Sequence, residues 1–385
     1  MTDFMKRKGG TICFMLCMLV FLFVTNSFDV KDAFIDSPHI VFPFYVIFII
    51  LAILSFFAFF LLIDKSVKVD FVCFLLFIRL IVHFIPIYGI GITPHFAINF
   101  ITSVICLIVY LIMYNLTKEK KFFIDVVCVF YFVFAIQIIV EFLLSPVTLT
   151  SFSMNFKSEI ATPMGSSNAL AAKLVPFFAF VFCNCKNKGK LCSVLLALFA
   201  VIATRSRTGC ANFVIITYML LVWNGRFSKK LIANFLGIGF LFVIILYYFL
   251  FYYGFLDKIF YTELSSSETR FLFWRDALDI FFAHPITGVG FYYDVLAKNP
   301  HNVILDILMR SGLIGLVILV SVSLSILKNV RGKLNDDYVR GCFMGIVAFF
   351  FHGLFEIVFF SYIADFMIWT LIGAMMGYIH NNNLK

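Results

Sequence analysis

Twelve long apolar runs, separated by short polar segments, occupy most of this sequence. A helix needs roughly 20 apolar residues to cross a hydrocarbon core about 30 Å thick, and most of the runs approach that length. Hydrophobic residues make up 63% of the chain and charged residues 13%, whereas a soluble domain carries about 25% charged residues. A surface with so few charges cannot face water. The sequence therefore excludes a soluble fold and predicts an all-α integral membrane protein with about 12 transmembrane helices.

The predicted spans are Ile12–Phe28, Ile40–Ile63, Phe71–Ile92, His95–Leu116, Phe122–Ser145, Ala169–Cys183, Leu191–Thr204, Cys210–Asn224, Leu231–Tyr253, Asn302–Leu327, Gly341–Phe360 and Ile363–Tyr378.

The distribution of basic residues predicts the orientation of the chain. Cytoplasmic loops retain Lys and Arg, and with the N-terminus inside, the cytoplasmic flanks hold 19 of the 30 basic residues but only 7 of the 21 acidic ones. Both termini are therefore expected in the cytoplasm, and the long loops 146–168 and 254–301 on the opposite side. The net charge of +9 is a topology signal, so it does not require a nucleic-acid partner.

Two arginines lie on the outer side, where the orientation rule disfavours them. Arg205 and Arg207 belong to the segment Ala203–Gly209, at the outer junction of the seventh and eighth spans. The planar guanidinium group binds phosphate through two hydrogen bonds, which points to an anionic ligand. The alternative is that both side chains extend to lipid headgroups.

The loop 254–301 is predicted to contain an amphipathic helix. Ser265–Glu268 has the spacing of a capping box, which starts a helix, and the proline and glycines of His284–Gly290 end it. Such a helix can lie on the membrane surface, and by itself it indicates packing at the interface. One face of it is formed by Arg270, Trp274, Ala277 and Phe281.

A histidine immediately precedes the tenth span. Asn302 is expected to cap that helix, which puts His301 at the positive end of the helix dipole and favours the neutral imidazole of a general base. The alternative is a lone interfacial histidine. Asp306 and Arg310 are four residues apart and are expected to neutralise each other inside the span.

Further polar pairs lie within the spans. Arg79 and His83 occupy positions i and i+4 of the third span, and His352 and Glu356 do so in the eleventh. Charged groups at such depth are candidates for function, although each pair can also hold helices together. Arg79 is the first of these four residues as a candidate for function, because its own span contains no acidic residue to pair with.

The outer elements, in this order and spacing, resemble the O-antigen ligase and polymerase family of bacterial envelope glycosyltransferases. The resemblance extends from about Pro163 to about Gly315. The motifs that carry it are Gly165…Asn168-x-x-Ala171, Ser206-Arg207-x-Gly209, Thr269-Arg270…Trp274 with Pro285-x-x-Gly288-x-Gly290, and Pro300-His301-Asn302-x-x-Leu305.

The resemblance implies a single polytopic membrane domain over residues 1–385, with a GT-C-like glycosyltransferase fold, in the bacterial inner membrane. It implies transfer of a glycan from undecaprenyl diphosphate to an acceptor sugar hydroxyl on the periplasmic face, without a metal or cofactor. The expected partners are the lipid-linked oligosaccharide, the acceptor glycan, the bilayer and a chain-length regulator. The expected roles are general base for His301, diphosphate binding for Arg205, Arg207 and Arg270, and substrate binding for Asn168, Asn302 and Trp274. The resemblance carries no site over to the N-terminal half, so Arg79 is a substrate-binding candidate only from its position inside the third span.

Two activities within the family stay open, as does one outside it. A polymerase joins lipid-linked repeat units, and a ligase transfers the finished glycan to lipopolysaccharide core. The acidic residue in the segment 301–308 favours a polymerase. A lipid-linked oligosaccharide flippase is disfavoured, because the distinguishing residues concentrate at one membrane face and the two halves show no repeat.

Overall fold

The computed structural model describes residues 3–24, 44–63, 67–84, 94–144, 161–162, 165–204, 206–223, 270–290, 300–356 and 362–382. Almost all of these residues are helical. A two-stranded antiparallel hairpin, β1 (Ala161–Thr162) and β2 (Gly165–Ser166), directly precedes α6.

The helices are α1 (Asp3–Leu19, continued by the π-helical turn Val20–Val24), α2 (Phe44–Ile63), α3 (Phe71–Val82), α4 (Pro94–Leu116), α5 (Lys120–Leu144), α6 (Ser167–Asn184), α7 (Asn187–Thr204), α8 (Arg207–Trp223), α9 (270–283), α10 (Val303–Val330), α11 (Asp337–Gly353) and α12 (Tyr362–Asn381).

Three helices in the described part of the chain are long and apolar enough to cross a membrane, namely α5, α7 and α10. Helices also occupy the other predicted spans, except the ninth, Leu231–Tyr253, which lies outside the described residues. The eleventh predicted span is too long at its outer end, because α11 stops at Gly353 and leaves Glu356 beyond the helix. The protein is a helical membrane protein, as the sequence predicts.

Close packing between helices depends on glycines spaced four residues apart. Gly341 and Gly345 of α11 face α6, and Gly373 and Gly377 of α12 face α4. A Cβ atom on Gly377 would overlap the carbonyl group of Tyr114. Small residues at this spacing let helix backbones approach closely where lipid supplies no hydrophobic driving force. The contact of α11 with α6 brings the end of α11 beside the start of α6.

Helix α10 is broken at Gly312, whose φ of 58° and ψ of −154° are not helical. The turn that follows α9 fills the break. The Leu313 N–H donates to the Pro285 carbonyl at 2.8 Å, and the Val289 N–H donates to the Met309 carbonyl at 3.0 Å. Irregular backbone at membrane depth is tolerated only where protein groups satisfy its hydrogen bonds, as they do here.

Two glycines make possible this contact between the turn at 284–290 and the break in α10, which we call the interlock. Gly288 in the turn has a φ of 63°, and a Cβ there would lie 2.5 Å from the Met309 carbonyl oxygen. A Cβ on Gly312 would lie 2.7 Å from the Pro285 carbonyl oxygen. The predicted turn His284–Gly290 is therefore confirmed, and it fixes α9 against α10.

The charged segments predicted to be cytoplasmic meet at one end of the helices. Lys8 lies 3.5 Å from Glu119, and Lys120 lies 3.1 Å from Asp336. Asp336 precedes α11 and Glu356 follows it, so the 17 residues of α11 separate the two ends by about 25 Å. Glu356 therefore lies at the end opposite to the basic flanks.

Alanine at Gly312 is expected to destabilise the protein more than alanine at Gly332. Gly332 also has a positive φ, of 79°, but nothing lies within 4 Å of a Cβ there. Gly332→Ala should therefore cost only the backbone term of about 1–2 kcal/mol. Gly312→Ala adds the collision with the 285–286 backbone, for a total of roughly 2–5 kcal/mol. Thermal unfolding of the detergent-solubilised variants measures the difference, and equal losses would contradict the interlock.

Candidate active site

The Glu356 carboxylate is the centre of a polar cluster drawn from distant parts of the chain. Its Oε1 lies 2.5 Å from His301 Nδ1. Its Oε2 accepts a hydrogen bond from Asn168 Nδ2 at 2.8 Å and lies 3.6 Å from an Nη atom of Arg270. A buried carboxylate needs such partners, because burial without them is strongly unfavourable. Glu356 therefore joins the starts of α6, α9 and α10 to the end of α11.

The start of α10 presents His301 in an unusual backbone conformation. Asn302 caps the helix, its Oδ1 accepting from the backbone N–H groups of Ile304 and Leu305, and its Nδ2 donates to the Leu354 carbonyl at 3.0 Å. His301 has a φ of 50°, in the left-handed region, which costs about 1–3 kcal/mol for a non-glycine residue. The predicted cap is confirmed, and it holds the imidazole toward Glu356.

Helix α9 is tied to the same place by two hydrogen bonds. Trp274 Nε1 donates to the Pro300 carbonyl at 2.7 Å, next to His301. Arg270 donates to the Phe355 carbonyl at 3.4 Å, next to Glu356. The indole and the guanidinium group thus bridge α9 to both helix ends that form the cluster.

The face of α9 predicted for the membrane surface lies on protein instead. Ala277 is buried in a small apolar cluster with Val289 and Met309, because the interlock at Gly312 draws that face onto α10. The exposed apolar side chains of α9 include Phe271 and Phe282. The predicted placement of this face on the membrane surface is therefore wrong for Ala277.

The electrostatic surroundings favour an ionised Glu356. Burial alone raises the pKa of this carboxyl, but the hydrogen bond from His301 and the positive charge of Arg270 hold its pKa below the usual value. Glu356 lies beyond the end of α11 and is an ionised acceptor near neutral pH. A carboxylate bonded to Nδ1 of a histidine fixes the tautomer and leaves Nε2 as the basic atom. The arrangement can act in general base catalysis.

Arg207, a predicted diphosphate-binding residue, is the first residue of α8. Ser206 caps this helix, with its Oγ accepting from the Gly209 N–H at 3.0 Å, and Gly209 packs on Ala171 of α6. The first turn of α8 therefore lies beside the first turns of α6. Arg207 is exposed there, and it is not among the described partners of Glu356. Arg205 lies outside the described residues.

Arg79 is not brought into the cluster. It lies near the outer end of α3, where the charges of Asp365, Arg310 and Asp306 act on it. The neighbouring His83 Nε2 lies 2.6 Å from the Ser311 hydroxyl. Arg79 thus finds acidic neighbours on other helices, which its own span does not offer. The predicted substrate-binding role of Arg79 receives no support from this position.

The predicted pair Asp306 and Arg310 is confirmed as structural. Arg310 Nε lies 2.9 Å from Asp306 Oδ1, and both side chains are almost completely buried. Asp306 therefore forms an ion pair within α10 and does not join the Glu356 cluster.

Sequence reasoning placed Glu356 among the intramembrane pairs and missed it as the centre of the site. Its position four residues after His352 in an apolar run was the available signal. Its partners, 55 and 188 residues away, gave none. Among the described residues, no group of three His, Cys, Asp or Glu side chains has the geometry of a metal site.

Two comparisons relate this chain to known proteins. The O-antigen ligase family matches residues 192–320, a segment that contains Arg207, Arg270 and His301. The ComP-specific O-oligosaccharyltransferase of Acinetobacter baylyi (strain ATCC 33305 / BD413 / ADP1) is 26% identical over 61% of this chain and 46% of its own length. The chain therefore spans about half the length of that curated relative. The resemblance to the O-antigen ligase family is confirmed, since residues 192–320 match the model of that family.

Proposed function

We propose that this protein is a glycosyltransferase of the ligase type, which moves a glycan from undecaprenyl diphosphate to an acceptor hydroxyl. The observation that carries the proposal is the short contact of His301 Nδ1 with Glu356 Oε1, 2.5 Å, beside the Arg270 guanidinium group. The family match over residues 192–320 and the name of the relative both support glycan transfer.

His301 acts as the base in this proposal. The acceptor hydroxyl must lose its proton as it attacks the anomeric carbon of the donor sugar. With Nδ1–H donating to Glu356, Nε2 takes that proton, and the carboxylate stabilises the imidazolium ion that forms. Glu356 is thus a positioning residue, because it acts on the substrate through His301.

The arginines stabilise the leaving group. Cleavage of the sugar–phosphate bond leaves negative charge on a lipid diphosphate, and fixed cations that face this charge lower the barrier. Arg270 lies at the edge of the cluster with a 38% exposed side chain, so it can contact a ligand while it pairs with Glu356. Arg207, exposed at the start of α8, supplies a second cation, and Arg205 a third. These charges take the place of a metal ion in the proposed mechanism.

The membrane arrangement completes the proposal. The single polytopic domain crosses the inner membrane about twelve times in a GT-C-like fold, with both termini in the cytoplasm. Loops 146–168 and 254–301 face the periplasm, and α9 covers the site at the interface. The exposed Phe271 and Phe282 side chains of α9 then contact lipid.

The acceptor separates two forms of the proposal. Asp306 was the reason to favour a polymerase, but its carboxylate is paired with Arg310 inside α10. Ligase-type transfer is therefore our first candidate. In it the acceptor is a molecule other than the lipid-linked donor. Polymerisation of lipid-linked repeat units, with a chain-length regulator as partner, is the second candidate.

Variants of the His301–Glu356 pair are expected to lose transfer activity together. His301→Ala should lower kcat by roughly 10²- to 10⁴-fold, the range for loss of a general base. Glu356→Gln keeps the shape and loses the charge, and the double variant should be no slower than His301→Ala alone, because the two residues act as a unit.

Glu119→Gln is the matched control, because Glu119 pairs with Lys8 at the opposite end of the helices. It should retain full activity. Each variant is checked for an unchanged thermal midpoint before its kinetics are interpreted. Wild-type rates in both His301→Ala and Glu356→Gln would show that the cluster is not the active site.

A reconstituted assay decides between the acceptors. Purified protein in vesicles is supplied with lipid-linked glycan alone, or together with lipopolysaccharide core. We expect a product only when the separate acceptor is present. A ladder of longer glycans from the lipid-linked donor alone would assign the protein as a polymerase instead.

A further inference from the structure

Two thiol groups from different segments meet at the basic end of the helices. Cys128 of α5 and Cys185, which lies between α6 and α7, are 57 positions apart in the sequence, and their Sγ atoms are 3.9 Å apart. Neither forms a disulfide bond. Cys183, two residues earlier, packs on Gly341 in the first turns of α11. The pair therefore lies at the end of α11 opposite to Glu356, away from the candidate active site.

Hydrogen bonds on both sides of the pair hold its two segments in place. Three residues further along α5, the Tyr131 hydroxyl donates to the Ser193 carbonyl of α7 at 2.6 Å, and both residues are buried. The Cys185 N–H donates to the Val181 carbonyl at 2.9 Å, which continues the hydrogen-bond pattern of α6. The two sulfur atoms must approach by about 2 Å to reach the disulfide length. Rotation of the side chains can supply such a movement.

The Cys185 thiol has the properties of an attacking group. The hydrogen bond from Cys128 and the charge of Lys190 lower the pKa of Cys185 to about 7, although burial opposes the change. The thiolate is the nucleophilic form of cysteine, and a pKa near the ambient pH favours thiol–disulfide exchange. The next residues along the chain include the exposed Lys186 and Lys188, and positive charges of this kind attract an anionic reagent.

Partial exposure makes the pair accessible to a small molecule. Cys128 and Cys185 are both half-buried. Cys192, in the second turn of α7, is exposed and serves as an internal comparison. Most cysteines of the chain are buried, namely Cys13, Cys17, Cys73, Cys106, Cys183 and Cys342.

We propose that Cys128 and Cys185 are a modification site, which forms a reversible disulfide bond when an anionic low-molecular-weight disulfide oxidises it. The Cys185 thiolate attacks one sulfur atom of the oxidant, forms a mixed disulfide and releases one thiolate ion. Cys128 then loses its proton and attacks the Cys185 sulfur, which releases a second thiolate ion. The protein gives up two electrons, the oxidant becomes two thiolate ions, and one of these takes up the Cys128 proton.

The state of the site follows the thiol balance around it. Excess thiol reverses both exchange steps, so the pair stays reduced in a reducing compartment. The sequence predicts that this end of the helices faces the cytoplasm. The disulfide therefore forms when small disulfides accumulate there. This inference is independent of the proposed function, because it involves none of the residues of the Glu356 cluster.

Thiol mapping of the purified full-length protein tests this assignment. The protein in detergent is equilibrated with mixtures of reduced and oxidised glutathione, the latter being an anionic disulfide. The remaining thiols are then blocked with N-ethylmaleimide in denaturant, and the peptides are identified by mass spectrometry. Cys128→Ser removes the second thiol of the pair, and Cys192→Ser is the matched control.

We expect the peptide with Cys128 joined to the peptide with Cys185 in oxidised glutathione, equally in wild type and in Cys192→Ser, and full reversal by excess reduced glutathione. Cys128→Ser should instead accumulate glutathione on Cys185, because no second thiol displaces it. If that variant unfolds, the wild-type peptides decide. A link between Cys185 and Cys192, or a Cys128 that is blocked by maleimide at every glutathione ratio, would overturn the assignment.

The rate of oxidation tests the class of oxidant. The double variant Lys186→Gln, Lys188→Gln keeps both thiols and removes two positive charges beside Cys185. It should react with oxidised glutathione at least roughly threefold more slowly than wild type at low salt, since the local charge attracts the anion. An unchanged rate would contradict the proposed preference for an anionic disulfide.

Discussion

The buried carboxylate of Glu356 is the constraint around which this end of the protein is organised. It lies just beyond α11, where water cannot solvate it fully, and an ionised group there must be paired. The partners arrive from three other segments, with His301 at 2.5 Å and Asn168 at 2.8 Å, and Arg270 close by. One acidic side chain thus contacts the starts of α6, α9 and α10, and it gives the imidazole a fixed orientation.

A second constraint is the backbone of α10. The helix breaks at Gly312, and the turn after α9 supplies the hydrogen bonds that the break leaves unmade. Because α9 is held there, Arg270 and Trp274 reach the helix ends that carry Glu356 and His301. The strained backbone of His301, with its φ of 50°, is maintained by these neighbours. In the proposed reaction, a rigidly held base contributes by its position relative to the substrate.

Local features of the fold and site were predictable from the sequence, and distant pairings were not. The Asn302 cap, the Asp306–Arg310 pair and the turn at 284–290 depend on residues close in sequence, and all three are confirmed. The role of Glu356 was missed, since its partners are far along the chain. The end of α11 was placed too late, because the apolar run continues past Gly353. The inward face of α9 was misassigned, because periodicity identifies an apolar face but not whether lipid or protein covers it.

The central claim is that the Glu356 cluster binds the reacting end of a lipid diphosphate donor. An experimental structure of the protein with a non-hydrolysable undecaprenyl diphosphate glycan tests it most directly. The account predicts that the diphosphate lies between Arg207 and Arg270, with the first sugar facing His301 Nε2. A diphosphate bound at the opposite end of the helices, near Lys120 and Asp336, or one that leaves His301 remote from the sugar, would contradict it.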